Sequence, residues 1–367
     1  MSGRTLPDFP WDSLVPARER AGTHPDGIVD LSVGTPVDPV PGPIRDALSG
    51  PAAAEPGYPT THGPAPLREA IAASLQRRFG VSGVDPAAVL PTIGSKELVA
   101  WLPTLLGLGA GDTVVLPDLA YPTYEVGARL AGADHVRSDG LTAAGPARVK
   151  LVWLNSPSNP TGRVLPVEHL RKVVTWARER GAVVASDECY LGLPGAADPS
   201  PRSVLHPDVC DGDPTGLLAV HSLSKVSNLA GYRAGFVTGD PALLASLLEV
   251  RKHAGMIVPR PVQAALEAAV TDDTHVAEQA ARYDARRDRL RAGLEKAGLE
   301  SEHSQAGLYL WATAGEPCRE TVDRLAGLGI LVAPGEFYGP AGARHVRVAL
   351  TAPDERIDAA VERLVVA

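Results

Sequence analysis

Apolar positions along the chain change their period several times, and each change marks an element. Leu67, Ile71 and Leu75 recur every four residues, the spacing of one helix face. Residues 88–93 and 112–117 are short apolar runs that suit strands. Each leads into a stretch of helical character, one from Ser95 to about residue 106, the other from about Tyr121. Residues 150–155, 183–186, 217–221 and 233–238 are apolar without alternation and end in turn residues, as strands buried on both faces do. Residues 166–180 read as a helix between two of them. Strand alternating with helix predicts an α/β fold with a mostly parallel sheet wrapped by helices.

The two ends differ. Residues 1–66 are rich in Pro and Gly and predict an extended arm and loops, with a short helix at about 43–49. After Asp240, residues 241–253 and roughly 261–297 predict helices, and 308–364 read as strand, helix, strand, helix. The expected division is an N-terminal arm with part of a small domain at 1–45, a large domain at 46–255 and a small α+β domain at 256–367.

Composition narrows the classes. A chain of 367 residues, 44% hydrophobic and 21% charged, can bury a large core without staples. A formal net charge of -8 argues against a nucleic-acid-binding surface. Cys189, Cys210 and Cys318 are widely spaced and form no CxxC or Cys/His cluster, so neither a disulfide framework nor a metal site is expected, and a reducing cytoplasm fits. The N-terminus lacks an apolar signal-peptide core, and no apolar run is long enough for a bilayer.

Candidate chemistry gathers where predicted strands end. His221-Ser222-Leu223-Ser224-Lys225 runs on to Arg233 between glycines. A lysine desolvated at a strand end becomes nucleophilic toward a carbonyl, and hydroxyls with an arginine suit a phosphate. Asn159, in Asn-Pro-Thr-Gly, lies past another strand end, where open parallel sheets bind ligands. Asp187 ends an apolar strand, so it either meets a cation or caps a helix. Gly94-Ser95-Lys96 turns strand into helix and offers free amides to an anion. Arg347, inside a short apolar strand, wants a paired anion, from a ligand or from a structural Asp or Glu.

In order and spacing these segments resemble the class I/II aminotransferases, through S-x-S-K with G-x-R-x-G, N-P-T-G, D-x-x-Y and L-x-x-G-x-P at Leu31–Pro36. The resemblance runs from Gly34 to Arg347. It implies the fold type I pyridoxal-phosphate transferase architecture, with a mostly parallel seven-stranded-type sheet and a small α+β domain. It implies pyridoxal 5'-phosphate as cofactor, held as a Schiff base by Lys225. Ser95, the Lys96 amide, Ser222, Ser224 and Arg233 would contact its phosphate. Asp187 would face the pyridine nitrogen, Asn159 and Tyr190 the ring hydroxyl oxygen, and Tyr121 would stack on the ring. Gly34 would line the substrate side, with Arg347 gripping the α-carboxylate. Tyr58 would reach the phosphate of a neighbouring subunit, which implies a homodimer with shared sites.

Longer stretches (Gly34–Pro41, IGSKELVAWLP, RKHAGMIVP, AGLYLW) look like the actinobacterial succinyldiaminopimelate aminotransferases. That likeness implies exchange of an amino group between N-succinyl-L,L-2,6-diaminopimelate and 2-oxoglutarate, in lysine and diaminopimelate synthesis. Such a substrate calls for further cations, and Lys96, Arg251, Lys252 and Arg260 are the candidates; the segment Gly255–Val258 of the partner subunit is the expected wall for the distal end. The alternatives are another amino-acid aminotransferase, a β-lyase on the same scaffold, or a non-catalytic regulatory domain.

Overall fold

The structure is a computed structural model that describes residues 6–140, 145, 147–198 and 200–366. The chain opens with α1 (Val15–Gly22), β1 (Val29–Asp30), α2 (Gly42–Ser49) and α3 (Ala65–Phe79). It continues as β2 (Val89–Ile93), α4 (Gly94–Leu105), β3 (Thr113–Leu116), α5 (Thr123–Ala131), β4 (Asp134–Arg137), β5 (Val149–Asn155), α6 (Val167–Arg178), β6 (Val183–Asp187), α7 (Pro207–Cys210), β7 (Leu217–Ser222) and β8 (Ala234–Gly239). Then come α8 (Pro241–His253), α9 (Arg260–Thr271), α10 (Thr274–Lys296), β9 (Glu300–Glu302), β10 (Tyr309–Thr313), α11 (Cys318–Gly327), β11 (Ile330–Leu331), β12 (Ala333–Pro334), β13 (Val346–Ala349) and α12 (Asp354–Val366).

Local chemistry explains the boundaries. Leu67, Ile71 and Leu75 of α3 are all buried, as their spacing demands. Gly80 ends that helix in a left-handed conformation (φ 67°), and the amides of Gly80 and Val81 bond the carbonyls of Gln76 and Leu75. The Asp240 carboxylate accepts from the amides of Ala242 and Leu243, and Pro241 starts α8.

β2 through β8 form one seven-stranded sheet in the order β2-β8-β7-β6-β5-β3-β4. Only β8 runs antiparallel to its neighbours β2 and β7; the other pairs are parallel. Helices cover both faces, which is why β3, β7 and β8 are buried along their whole length. The ends of β5, β6 and β7 lie side by side, with Asn155 paired to Asp187 and Asp187 to Val220. A second, antiparallel sheet has the order β12-β13-β10-β9. The arm lies against it: β1 pairs with β11 in a separate two-stranded parallel sheet, the Leu31 amide bonds the Leu331 carbonyl, and the Ala349 amide of β13 bonds the Leu31 carbonyl. Arg286 of α10 fastens the arm further, gripping Asp38 at 2.7 and 2.8 Å and Asp354 at 3.0 Å.

Some expectations need correcting. The single helix expected over 261–297 is two helices, α9 and α10. Asp272 between them is extended (φ -108°, ψ 115°) and its carboxylate accepts from the Thr274 amide, while Arg77 and Arg78 of α3 hold Asp273 at 2.5–2.6 Å. The edge strand β4 was not expected; its sequence, DHVR, carries no apolar run because it is at most half-buried. β9, β11 and β12 are only two or three residues long, too short for any periodicity.

Ile71 is wholly buried. Ile71→Ala is expected to cost about 2–5 kcal/mol, measured as a lower urea midpoint, without altering the visible absorbance of bound cofactor.

Candidate active site

Three adjacent strand ends carry the polar groups. From β7, the Ser222 hydroxyl donates to Ser224 Oγ at 2.9 Å and accepts from the Ser224 amide at 3.1 Å. This tight turn presents Lys225, whose ammonium donates to the Gly34 carbonyl of the arm. Burial, with Arg347 and Arg233 nearby, lowers the Lys225 pKa to about 8. Arg233 sits at φ 58° and donates to the Ala230 carbonyl at 2.7 Å. Its guanidinium lies so close over Gly94 that any side chain there would collide with it, and Gly94 itself is left-handed (φ 68°). Ser95 follows, with its hydroxyl 3.2 Å from the Cys189 thiol.

From β6, Asp187 is 6% exposed and accepts from the Tyr124 hydroxyl at 2.8 Å and the Cys189 amide at 3.2 Å. Burial pushes its carboxyl pKa up, opposed by Cys189 and Tyr124. Tyr124 was not singled out in the sequence. It stacks on Trp153 at 4.7 Å, and Tyr121 meets it edge-on at 5.7 Å. From β5, Asn155 bridges the ends: its amide donates to the Asp187 carbonyl at 2.8 Å and its oxygen accepts from the Asn159 amide at 2.7 Å. It too went unnoticed, because the KLVWLN run reads as strand and says nothing of its last side chain.

Arg347, 3% exposed, donates to Asn159 Oδ1 at 2.9 Å and to the Ser32 carbonyl at 2.7 Å, and its Nε has no partner. The Tyr309 ring lies 3.9 Å from its guanidinium carbon, and the Tyr309 hydroxyl is 3.2 Å from that of Tyr190. A Cβ on Gly34 would strike the Tyr309 hydroxyl, so only glycine fits there. The structure thus brings together Gly34, Gly94, Ser95, Tyr121, Asn159, Asp187, Tyr190, Ser222, Ser224, Lys225, Arg233 and Arg347.

It does not bring in Tyr58, which is 95% exposed. Of the four extra cations, three are already paired: Arg251, fully buried, with Glu97 at 2.9 and 3.0 Å, Lys252 with Glu249 at 2.6 Å, and Arg260 with Glu55 at 3.0 Å. Lys96 has no ion-pair partner among the described residues and lies 5.8 Å from the Phe9 ring. Burial and the nearby Arg233 lower its pKa.

Buried charge without a counterion is costly. Among the described residues, Asp187, Lys225, Arg233 and Arg347 take part in no ion pair. The set fits pyridoxal phosphate: a pyridinium would answer Asp187, a phosphate Arg233 over the bare Gly94 turn, and a carbonyl carbon the Lys225 amine.

The comparisons with known proteins agree with this geometry. Residues 26–364 match the family model "Aminotransferase class I and II", and the chain belongs to that family, whose members depend on pyridoxal phosphate. The chain is 65% identical over 360 residues to a probable aminotransferase of Mycobacterium tuberculosis, covering 98% of this chain and 85% of that protein. It is 60% identical over 361 residues to the 4-dedimethylamino-4-oxo-anhydrotetracycline transaminase of Streptomyces rimosus, covering 98% and 99%. A probable N-succinyldiaminopimelate aminotransferase from Thermus thermophilus superposes with a TM-score of 0.85 at 31% identity, covering 97% and 99% of the two chains. The protein is an aminotransferase of fold type I.

An amine attacks a carbonyl only when unprotonated. The rate at which apo-protein regains cofactor absorbance with pyridoxal phosphate is therefore expected to rise with pH through about 8 and then level off. A rate flat from pH 6 to 10 in stopped-flow absorbance, a range set by the usual lysine value, would contradict this assignment of Lys225.

Proposed function

We propose that this aminotransferase exchanges an amino group between N-succinyl-L,L-2,6-diaminopimelate and 2-oxoglutarate, in lysine and diaminopimelate synthesis. The carrying observation is a pair of cations without counterions among the described residues: the buried Arg347 beside Asn159, and Lys96 beside Arg233. Arg347 grips the α-carboxylate of either amino donor, with Tyr309 packed on its face. Lys96 meets a second carboxylate further out. The cofactor, when bound, supplies an electron sink for the bond broken at the substrate Cα. Asp187 holds the pyridine nitrogen protonated, and Asn159 and Tyr190 bond the ring oxygen. Lys225 Nζ takes the proton from Cα and returns it at the other end of the transfer. Tyr121 covers the ring, and Gly94, Ser95, the Lys96 amide, Ser222, Ser224 and Arg233 hold the phosphate.

The exposed Tyr58 ring fits a contact with the phosphate of a neighbouring subunit, so a homodimer with shared sites belongs to this reading. So does the division into 1–45, 46–255 and 256–367, although α9, beyond the second boundary, packs on α2 and α3. The three free, buried thiols suit a reducing cytoplasm. Among the described residues no helix is long and apolar enough to cross a membrane.

A second reading has its own support. The relative from Streptomyces rimosus matches over nearly its whole length, and by its name acts on a 4-oxo-anhydrotetracycline. On that reading this protein aminates a ring ketone.

One panel of acceptors and donors separates the two. Rapid 2-oxoglutarate-dependent turnover of succinyl-diaminopimelate supports the first reading; turnover of an anhydrotetracycline ketone alone selects the second. Arg347→Ala is expected to weaken glutamate and succinyl-diaminopimelate alike, by roughly 2–5 kcal/mol in kcat/KM.

Lys96→Ala is expected to raise KM for substrates with a second carboxylate and to spare pyruvate; an equal rise for pyruvate excludes Lys96 as the reader. The wall at Gly255–Val258 is better probed at Met256 than at Gly255. Gly255 is left-handed (φ 68°), so any side chain there strains the backbone before it touches substrate.

A further inference from the structure

Directly behind Asp187 lies a second pair of ionisable groups that the reaction does not use. Glu188 follows Asp187, and its amide extends the β6–β7 ladder by bonding the Val220 carbonyl. Successive side chains of a strand point to opposite faces, so Glu188 turns away from the cofactor side. There Oε2 faces His221 Nε2 at 3.4 Å. The Glu188 side chain is 0% exposed and that of His221 6%. Glu188 Oε1 accepts from the Val204 amide at 2.7 Å, but among the described residues neither Oε2 nor Nε2 has a hydrogen-bond partner, so two orphaned polar atoms face each other. The imidazole is stacked between Phe236 at 4.8 Å and Phe79 at 6.2 Å.

By distance alone this is a salt bridge. Its surroundings make it something else. The pair lies between two phenyl rings, where separated charges are poorly solvated. The groups around Glu188 are the Ser186 and Ser203 hydroxyls, the Val204 amide and the like charge of Asp187. Burial pushes the Glu188 pKa up to about 7 and the His221 pKa down to about 3, so His221 is uncharged at neutral pH and Glu188 holds its proton up to about neutrality. A carboxylic acid donating to a neutral imidazole satisfies both orphaned atoms with one proton and no net charge.

We propose that Glu188 is a neutral carboxylic acid up to about neutral pH, donating its proton to His221 Nε2, and that this uncharged bond positions the two residues beside it, Asp187 and Ser222. Asp187 precedes Glu188 and Ser222 follows His221, so one hydrogen bond between β6 and β7 fixes the group facing the pyridine nitrogen relative to a group facing the phosphate. Neutrality matters because a second carboxylate charge next in sequence to Asp187 would make Asp187 harder to keep ionised and so weaken it as a counterion. Glu188 and His221 are positioning residues, and their proposed effect rests on the assignment of Asp187 to the pyridine nitrogen; the protonation state itself does not.

Infrared difference spectroscopy of the holoenzyme between mildly acidic and high pH reads that state. A protonated-carboxyl C=O band at mildly acidic pH, lost as pH rises through neutrality and absent from Glu188→Gln, is expected. If Glu188→Gln shows the same bands as wild type, Glu188 is ionised and the proposal fails. The positioning role has its own readout. Glu188→Ala and His221→Phe each leave one buried polar group unpaired and are expected to loosen pyridoxal phosphate by on the order of tenfold. They are also expected to shift the pH midpoint of its visible absorbance, whereas Glu188→Gln, which still donates to His221, restores both. Retention and midpoint unchanged in His221→Phe would overturn the positioning role. If the carboxyl band behaves as expected but Asp187→Asn leaves the absorbance titration untouched, the fault lies with the assignment of Asp187.

Discussion

The structure around the site is organised by buried charge left without a protein counterion. Asp187, Lys225 and Arg347 are buried or nearly so, and no oppositely charged side chain among the described residues reaches them. Elsewhere the chain pairs its buried charges with care, as Arg251 does with Glu97 and Arg286 with Asp38. Unpaired burial of this kind is tolerated where a ligand supplies the missing charges, and it confines that ligand to one orientation. A cation is wanted at Asp187, anions at Arg233 and Arg347, and an electrophilic carbon at Lys225.

Hydrogen bonds rather than ion pairs do most of the holding. Asn155 ties the Asp187 strand to the loop bearing Asn159, and Asn159 in turn accepts from Arg347. A single chain of amides therefore runs from the large sheet to the small one. The arm closes the circuit, with the Ser32 carbonyl on Arg347 and the Gly34 carbonyl on Lys225. Arg347 is thus tied to both sheets and to the arm through hydrogen bonds to neutral acceptors.

Small side chains are as important as charged ones. Gly94 makes room for the Arg233 guanidinium and Gly34 for the Tyr309 hydroxyl. At both positions a methyl group would occupy space that the site needs, and at Gly94 the backbone is also left-handed. The residues that escaped notice in the sequence, Tyr124, Asn155 and Tyr309, act through such close approaches: each is an ordinary core or strand-end residue until its neighbour is known.

What the amino-acid order determined by itself is considerable. The unalternating apolar runs required strands buried on both faces, and their alternation with helices required a mostly parallel sheet. The lysine, aspartate, asparagine and arginine motifs pointed to the strand ends through their resemblance to the class I/II aminotransferases, whereas residue type alone left a helix cap open at Asp187 and a structural ion pair open at Arg347. Tertiary structure alone decided the rest. It paired Arg251 with Glu97 and Arg260 with Glu55 and, among the described residues, left Lys96 without an ion-pair partner, a sorting that local sequence cannot reveal because Glu97 and Arg251 are 154 residues apart; only the pair of Lys252 with Glu249, three residues away, is local. It broke the long helix at Asp272 through contacts with a distant helix, and it set Glu188 against His221, whose ionisation depends on the phenyl rings around them. Periodicity records which face of an element is buried, whereas the partner a buried charge finds is fixed only when distant strands and helices are packed together.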